Sequence, residues 1–373
     1  MTTLRISTRM LEWAANNAHT GLQDLAERIV GQSRIEQFLS GEMTAKQLEK
    51  LANLSRVPFG FFFLSEPPVL QARIPDLRQA PYPTPLTSDF WDTLDDVQAK
   101  QSWYEEYVTE MGLPDVAVVG SVDMNAASPA VVASQIKSSL GVTAQDRASC
   151  GTPAEYFSLL SERIETLGIL VFKNGVVGFN NKRQLSVSEF RGFALADKKA
   201  PLIFINGHDA EAAWVFTLLH ELAHIWVGES GVSDTSVSSA HSPHTRVERY
   251  CNQVAAEFLT PVEEFQAKWA EQADAPFIAL SRHFKVSSLV IARRAFDFGY
   301  ISWDEYVAFA NSLPKKKGTG GDFWRIVPVK NSKRFTRAIV NSAMNGRTML
   351  REAAGLLHVK PDGVFKLDKQ FKQ

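Results

Sequence analysis

The feature that most constrains this chain is His220–His224, a His-Glu-Leu-Ala-His motif in which two histidines are four residues apart. On an α-helix, residues four apart project from the same face, so both imidazoles can reach one metal ion. Glu221 is turned about 100° from His220, near a metal-bound water but outside the ligand set. The spacing therefore predicts a zinc site on a helix, with a carboxylate placed to take a proton from water.

Apolar residues occupy most of the circumference of this predicted helix, which predicts that the helix is largely buried. They are Phe216, Leu218, Leu219, Leu222, Ile225 and Trp226. Two histidines and a glutamate inside a buried helix need partners, and a metal ion supplies them. The alternative is a helix that carries two structural histidines, and the burial favours the metal site over it.

Composition is that of a globular protein with more than one domain. The chain has 373 residues, of which 45% are hydrophobic and 22% charged, and its net charge of −1 indicates no class of partner. Cys150 and Cys251 form neither a disulfide framework nor a Cys-x-x-Cys pair, which favours a reducing compartment. No apolar run approaches the roughly 18 residues of a membrane span, and residues 1–5 open no signal peptide. We therefore expect a cytoplasmic protein without a membrane partner.

The motif supplies two of the three protein ligands that catalytic zinc commonly takes. The candidates for the third ligand are His241, His244, Glu248 and Glu257. Metzincins place a third histidine six residues after the second, but that position is Ser230 here. Glu248 and Glu257 are nine residues apart, about 180° around one helix, so they cannot both face the metal.

Helical phase favours Glu248 as the third ligand. Glu248 lies beside an apolar stripe centred on Cys251 and Phe258, whereas Glu257 lies toward the other side. A buried carboxylate needs a partner more than an exposed one does, although the helix dipole alone also favours a glutamate in a first turn. The predicted ligands of one Zn²⁺ per chain are His220, His224 and Glu248. His244 is the second choice, or a hydrogen-bond donor to the transition state.

The chain divides into five segments, most of them helical. They are 1–67, a repressor-like helical domain with a degenerate helix-turn-helix; 68–115, a Pro-rich linker and helix; 116–270, a zinc metallopeptidase core; 271–313, a helix-turn-helix-like or packing subdomain; and 320–373, a basic helical domain. In the core, a helix over 154–167 precedes strand-like runs at 169–172, 190–194 and 202–205. This order predicts an α+β, mostly helical fold with a zincin-like core and a small sheet. An edge strand beside the metal could pair with an extended peptide.

Residues 1–67 have the pattern of a repressor-type helix-turn-helix, in which a glycine turn separates Leu25–Arg28 from a recognition helix over 33–40. This segment holds seven Lys/Arg and seven Asp/Glu, so it lacks the basic surface of a DNA-binding domain. We interpret it as a degenerate bundle that contacts protein.

Residues 322–373 are strongly basic, with eleven Lys/Arg against four Asp/Glu. Residues 350–360 again suggest a helix-turn-helix, with Arg347, Arg351 and Lys360 as candidate contacts. Such a face could bind nucleic acid or an acidic partner protein, and it could equally be a solvated basic helix. If the chain binds DNA, this tail is a better candidate than the N-terminal segment.

Four segments carry a family resemblance: HELAHIWVG from His220, ERYCNQVAAEFLTP from Glu248, EFRGFALAD from Glu189 and APLIFIN from Ala200. They resemble the ImmA/IrrE family of metallo-endopeptidases, whose longer bacterial members carry an N-terminal repressor-like domain. The resemblance implies that zinc is bound by His220, His224 and Glu248 and that Glu221 is the general base. It also implies a role, because family members cleave or control repressors, and the repressor-fused type is associated with toxin–antitoxin modules.

Two hypotheses follow from the sequence. The first is a regulatory zinc endopeptidase that acts on a specific protein, either a repressor or a cognate toxin. The second is an antitoxin or transcription regulator that acts by binding protein or DNA, in which the zinc site is structural or proteolysis is incidental.

Overall fold

A computed structural model describes residues 3–18, 20–55, 57–67, 86–233, 246–271, 276–313 and 323–372. The described residues form two compact units, one from residues 3–67 and 86–94 and one from residues 95–372. Within the described ranges, no helix is long and apolar enough to cross a membrane. The predicted fold class is confirmed, because the chain is mostly helical with small sheets.

The first unit is a small helical bundle with a two-stranded sheet. Its elements are β1 (Thr3–Arg5), α1 (Thr8–Asn17), α2 (Leu22–Ile29), α3 (Ile35–Leu39), β2 (Glu42–Thr44) and α4 (Ala45–Ser55). β1 pairs antiparallel with β2, and the predicted apolar face of α2 is buried in the bundle core. The expected recognition helix over 33–40 forms only in part, because Gln32–Arg34 is a 3-10 turn and α3 has five residues. DNA binding by this unit stays a prediction.

The second unit holds the sheet and most of the helices, and α5 (Ser88–Glu110) contributes residues to both units. The other elements are α6 (Pro129–Leu140), α7 (Ala144–Ser149), α8 (Pro153–Thr166), β3 (Leu170–Asn174), β4 (Gly192–Leu195), β5 (Leu202–Asn206), α9 (Glu211–Val227), β6 (Gly231–Ser233), α10 (Arg246–Leu259), α11 (Val262–Ala270), α12 (Phe277–Phe284), α13 (Ser288–Asp297), α14 (Trp303–Ser312), α15 (Phe323–Lys330), α16 (Lys333–Met344), α17 (Leu350–Leu356) and α18 (Pro361–Phe371).

The four-stranded sheet has the order β3-β5-β4-β6. β3 and β5 are parallel, whereas β4 is antiparallel to both β5 and β6. Every residue of β4 and β5 is buried, which explains their continuous apolar sequences. β5, which leads to the motif helix, is therefore an inner strand. In the described part of the chain, the edge on the β4 side is the short strand β6.

The motif helix α9 is central to the second unit, and its residues from Val215 to Trp226 are all buried. It packs against α8 on one side, α10 on another, and strands β4 and β5. The helix ends at Gly228, whose backbone N–H donates to the carbonyl of His224 at 2.9 Å. Gly228 has φ +83°, and a Cβ there would lie 2.9 Å from the Cα of Gly120. Both the conformation and the close approach require glycine.

The helices that follow α10 differ in how they pack. Val290, Ile291 and Ala295 of α13 are buried in the same core as α9, so the second half of this helix-turn-helix-like pair is a packing element. The C-terminal helices also join the second unit, because α15 and α16 pack against β3. Lys100, with a side chain only 3% exposed, forms an ion pair with Asp96 at 2.6 Å in this region.

Candidate metal centre

The motif side chains lie on the buried part of α9, as the apolar pattern predicts. His220, Glu221 and His224 each have 0% exposure, and so does Glu248 near the start of α10. α9 and α10 pack side by side, which brings the two histidines and Glu248 together. The carboxylate and imidazole donors of these three residues all lie within 4.8 Å of one another.

The contacts among the donors are short. Nε2 of His220 lies 3.2 Å from Oε2 of Glu248, and Nε2 of His224 lies 3.0 Å from Oε1 of the same carboxylate. The two Nε2 atoms are 3.1 Å apart. If both nitrogens carried protons toward Glu248, those protons would also face each other across the N···N contact. A cation between the three donors removes this conflict.

The donor set fits a metal ion. Donors bound tetrahedrally at about 2.0–2.2 Å lie roughly 3.3–3.5 Å from one another. Here the two Nε2 atoms are 3.1 Å apart, and each lies 3.0–3.2 Å from a different oxygen of the Glu248 carboxylate. Two imidazoles and a carboxylate suit zinc and several other divalent transition metals. A buried arrangement of this kind is compatible with a bound metal ion.

Electrostatics favour the ionised carboxylate. Burial alone would raise the pKa of Glu248, but its contacts with His220 and His224 outweigh burial and lower the pKa to about 2. Burial also raises the pKa of the Cys251 thiol, one turn further along α10, well above its usual range. Glu248 is therefore a charged ligand candidate, whereas Cys251 is a neutral core residue.

Asn252 is a further polar residue of the centre that the sequence reasoning did not single out. Burial would lower the pKa of the His220 imidazole, but Glu248 first, then Glu221, and to a smaller extent the Asn252 side chain raise it. Asn252 follows Glu248 by four residues on α10, so both lie on the helix face toward α9. Partners of this kind orient histidine ligands, and the spacing of four from Glu248 is the sequence signal for it.

Because Gly192 of β4 has no side chain, it leaves room for the Glu221 carboxylate. A Cβ built on Gly192 would lie 2.9 Å from Oε1 of Glu221 and 2.8 Å from Cγ2 of Thr217, one turn earlier on α9. It would also lie 3.0 Å from the carbonyl oxygen of Phe204 in β5. The close approach of α9 to the sheet therefore depends on a residue without a side chain.

An apolar cavity of about 440 Å³ is lined in part by residues of α9. Its lining includes Ala213 and Phe216 of α9, Val290 of α13, and Trp303, Tyr306 and Val307 of α14. Phe216 precedes His220 by one helical turn, so the cavity lies along the face that carries the histidines. Arg191 and Asp209, paired at 2.7 Å, also line it.

The remaining predicted residues lie elsewhere. Glu257 forms an ion pair with Arg294 of α13, in agreement with its predicted position away from the metal ligands. His241 and His244 lie outside the described residues. Arg347 donates to Sδ of Met111 at 2.9 Å, and the other two tail candidates, Arg351 and Lys360, are exposed.

Comparison with known families assigns two parts of the second unit. Residues 164–296, from the end of α8 to α13, match the family model described as an IrrE N-terminal-like domain, Peptidase_M78. The candidate ligands His220, His224 and Glu248 lie within these matched residues. Residues 331–370 match a model described as a domain of unknown function, DUF8813. No curated protein and no solved structure matches the chain. The first match supports the resemblance to the ImmA/IrrE family, whereas the N-terminal repressor-like domain lies outside both matches and stays a prediction.

Proposed function

We propose that this chain is a regulatory zinc metallo-endopeptidase that cleaves a specific protein. The observation that carries the proposal is the position of three fully buried side chains, because one donor atom from each of His220, His224 and Glu248 lies within 4.8 Å of the other two. The match of residues 164–296 to a peptidase family supports it. A zinc ion in this centre would act as a Lewis acid toward water and toward the scissile carbonyl group.

Glu221 has the position of the general base. Its carboxylate is buried beside β4 and is one residue from His220 on α9. Glu221 accepts a proton from the attacking water as the water oxygen bonds to the carbonyl carbon, and it returns that proton to the amine as the C–N bond breaks. The Glu248 carboxylate contacts both imidazoles and supplies negative charge to the centre.

A folded regulator with an accessible peptide segment is the substrate class that we infer, a repressor or a cognate toxin. The apolar cavity beside α9 supports a protein substrate, because Trp303, Tyr306 and Phe216 offer a place for an apolar side chain near the histidines. Its association with toxin–antitoxin or mobile-element regulation rests on the family resemblance.

Metal analysis of the purified full-length chain tests the centre without a known substrate. We expect about one zinc per chain in wild type and in Glu221→Gln, and loss of the metal in His220→Ala and Glu248→Gln, since only these two changes remove ligands. Wild-type protein without stoichiometric metal, or a Glu248→Gln variant that keeps it at full affinity, would contradict the assignment.

Cleavage is tested on the product of the gene beside this one, incubated with wild type or Glu221→Gln. We expect fragments with wild type and none with Glu221→Gln, because only the base is lost. The second hypothesis, regulation by binding, predicts a different result: Glu221→Gln would neutralise the toxin or repress as fully as wild type. That outcome would make hydrolysis secondary.

A further inference from the structure

The C-terminal helices contain a helix-turn-helix. α17 and α18 are joined by residues 357–360, and His358 in this turn has φ +54°, the left-handed conformation that such turns commonly give to glycine. The two helices pack on each other and on α16. The residues that hold this arrangement are buried, namely Ala353, Ala354, Leu357, Val364 and Leu367. α18 therefore occupies the place of a recognition helix.

Some basic side chains of the C-terminal helices contact other residues of the second unit. Lys333 forms an ion pair with Glu162 at 2.5 Å, and Arg334 donates to the hydroxyl of Tyr104 at 2.6 Å. Arg347 contacts the sulfur of Met111, as described above. These three cations bind the tail to neighbouring helices, so they are poor candidates for an external ligand.

The outer face of α18 carries other cations. Its exposed residues are Pro361, Asp362, Phe365, Lys366, Lys369 and Gln370, and the exposed Lys372 follows the helix. Lys360, at the start of the helix, and Arg351 of α17 are exposed beside them. Lys366 lies 3.9 Å from Asp362, and Lys372 forms an ion pair with Asp368 at 2.7 Å. Within the described residues, Arg351, Lys360 and Lys369 form no ion pair. A set of unneutralised cations thus lies around one accessible helix.

The other two helix-turn-helix-like regions lack such a face. In α12–α13 the second helix is buried in the core around α9, so its surface is not available to a groove. In the first unit, residues 1–67 have equal numbers of basic and acidic residues. By contrast, α17–α18 has both an accessible second helix and excess positive charge.

We propose that α17–α18 binds duplex DNA, with α18 in the major groove and Arg351, Lys360 and Lys369 on phosphates. A helix of 11 residues is about 16 Å long and enters a groove about 12 Å wide. We favour duplex DNA over an acidic protein because α18 is the second helix of a helix-turn-helix and has cations both at its start and on its outer face. The proposal does not depend on peptidase activity.

The test uses the full-length chain and a fluorescein-labelled 30-base-pair duplex of mixed sequence, with fluorescence anisotropy from 50 to 200 mM NaCl. Non-specific binding by such a face is expected at about 1–100 μM, weakening with salt by about 0.9 log units per decade for each phosphate contact. The Lys360→Glu/Lys369→Glu variant should bind roughly tenfold or more weakly and lower the salt slope by about 2.

The matched control is Lys46→Glu/Lys198→Glu, which changes the net charge equally at two exposed lysines, one in each unit. It should bind as wild type does, and Glu221→Gln should as well. Equal loss in the two double variants would show a general charge effect and overturn the proposal. Absence of binding at 50 mM NaCl would also overturn it, as would binding of polyglutamate in place of DNA, which would assign the face to an acidic protein.

Discussion

Replacing Gly192 with alanine tests whether the sheet sets the position of Glu221. The new Cβ would lie 2.8 Å from Cγ2 of Thr217, 2.9 Å from Oε1 of Glu221 and 3.0 Å from the backbone oxygen of Phe204. Favourable contacts between heavy atoms lie at about 3.5–4.0 Å, so α9 and β4 must separate or the Glu221 carboxylate must move. Because Phe204 contributes a backbone atom of an inner strand, side-chain rotation alone cannot relieve the overlap.

The cost follows from overpacking a buried site, which is typically about 1–3 kcal/mol. For a unit of this size, about 2 kcal/mol lowers Tm by roughly 3–4 °C. Cleavage should fall much further, since misplacing a catalytic group by about 1 Å can cost about 100-fold in rate. The metal content should stay at the wild-type value, because none of the three overlaps in Gly192→Ala involves a ligand.

Calorimetry, metal analysis and cleavage of the identified substrate measure these three effects on the same preparation. Gly355→Ala is the matched control, because Gly355 lies within α17 with nothing within 4 Å of its Cβ position. That change should stabilise the protein by about 0.5–1 kcal/mol through helix propensity. The reasoning is refuted if Gly192→Ala keeps both its Tm and its cleavage rate, or if it loses metal, which would mean that the ligands moved instead of Glu221.

Three further changes test the electrostatics of the second unit. Glu257→Gln should retain about one zinc per chain by metal analysis. Loss of the metal in this variant would contradict the prediction that Glu257 lies away from the metal ligands on α10. Burial beside the rings of Trp214 and Phe157 lowers the pKa of Lys173 from 10.5 to about 8. Between these two pH values, the unfolded chain therefore binds more protons than the folded chain does. Wild type should therefore gain Tm relative to Lys173→Met as pH rises from 8 to 10.5, and a constant difference would contradict this shift. Lys100→Met should lower the free energy of unfolding in urea by about 3 kcal/mol, because it breaks a buried ion pair; an unchanged midpoint would show that the pair contributes no stability.

Local periodicity was enough to predict the helices of the metal centre. The apolar residues of α9 and the polar side chains at His220 and His224 follow from positions along one helix, and so does the choice of Glu248 over Glu257. The structure brings the first three together and directs Glu257 to Arg294. These predictions depend only on the angle between two residues around one helix, and that angle follows from their separation in the sequence.

Contacts between distant segments could not be read in the same way. Gly231–Ser233 forms β6 and pairs with β4, a strand that is not among the three strand-like runs predicted from the sequence. Gly192 showed no signal as a spacer, because its role depends on α9 packing over β4. The recognition helix predicted in the first unit is divided by a 3-10 turn at Gln32–Arg34, which local apolar spacing does not distinguish from a helix.

The contacts of the basic residues in the tail could not be predicted from the sequence either. A surplus of cations over residues 322–373 says how many there are, but not which of them are neutralised by other parts of the fold. Ser332 donates to Oε1 of Glu165 at 2.5 Å, and Asn331 accepts from Lys100 at 2.9 Å, so the start of α16 is bound to α8 and α5 by buried polar contacts. Removing the tail would leave Lys100 and Glu165 without these partners in a buried region, at a cost of about 1–3 kcal/mol for each polar group. The C-terminal helices are thus part of the folded second unit, and DNA binding through α18 has to be measured on the full chain.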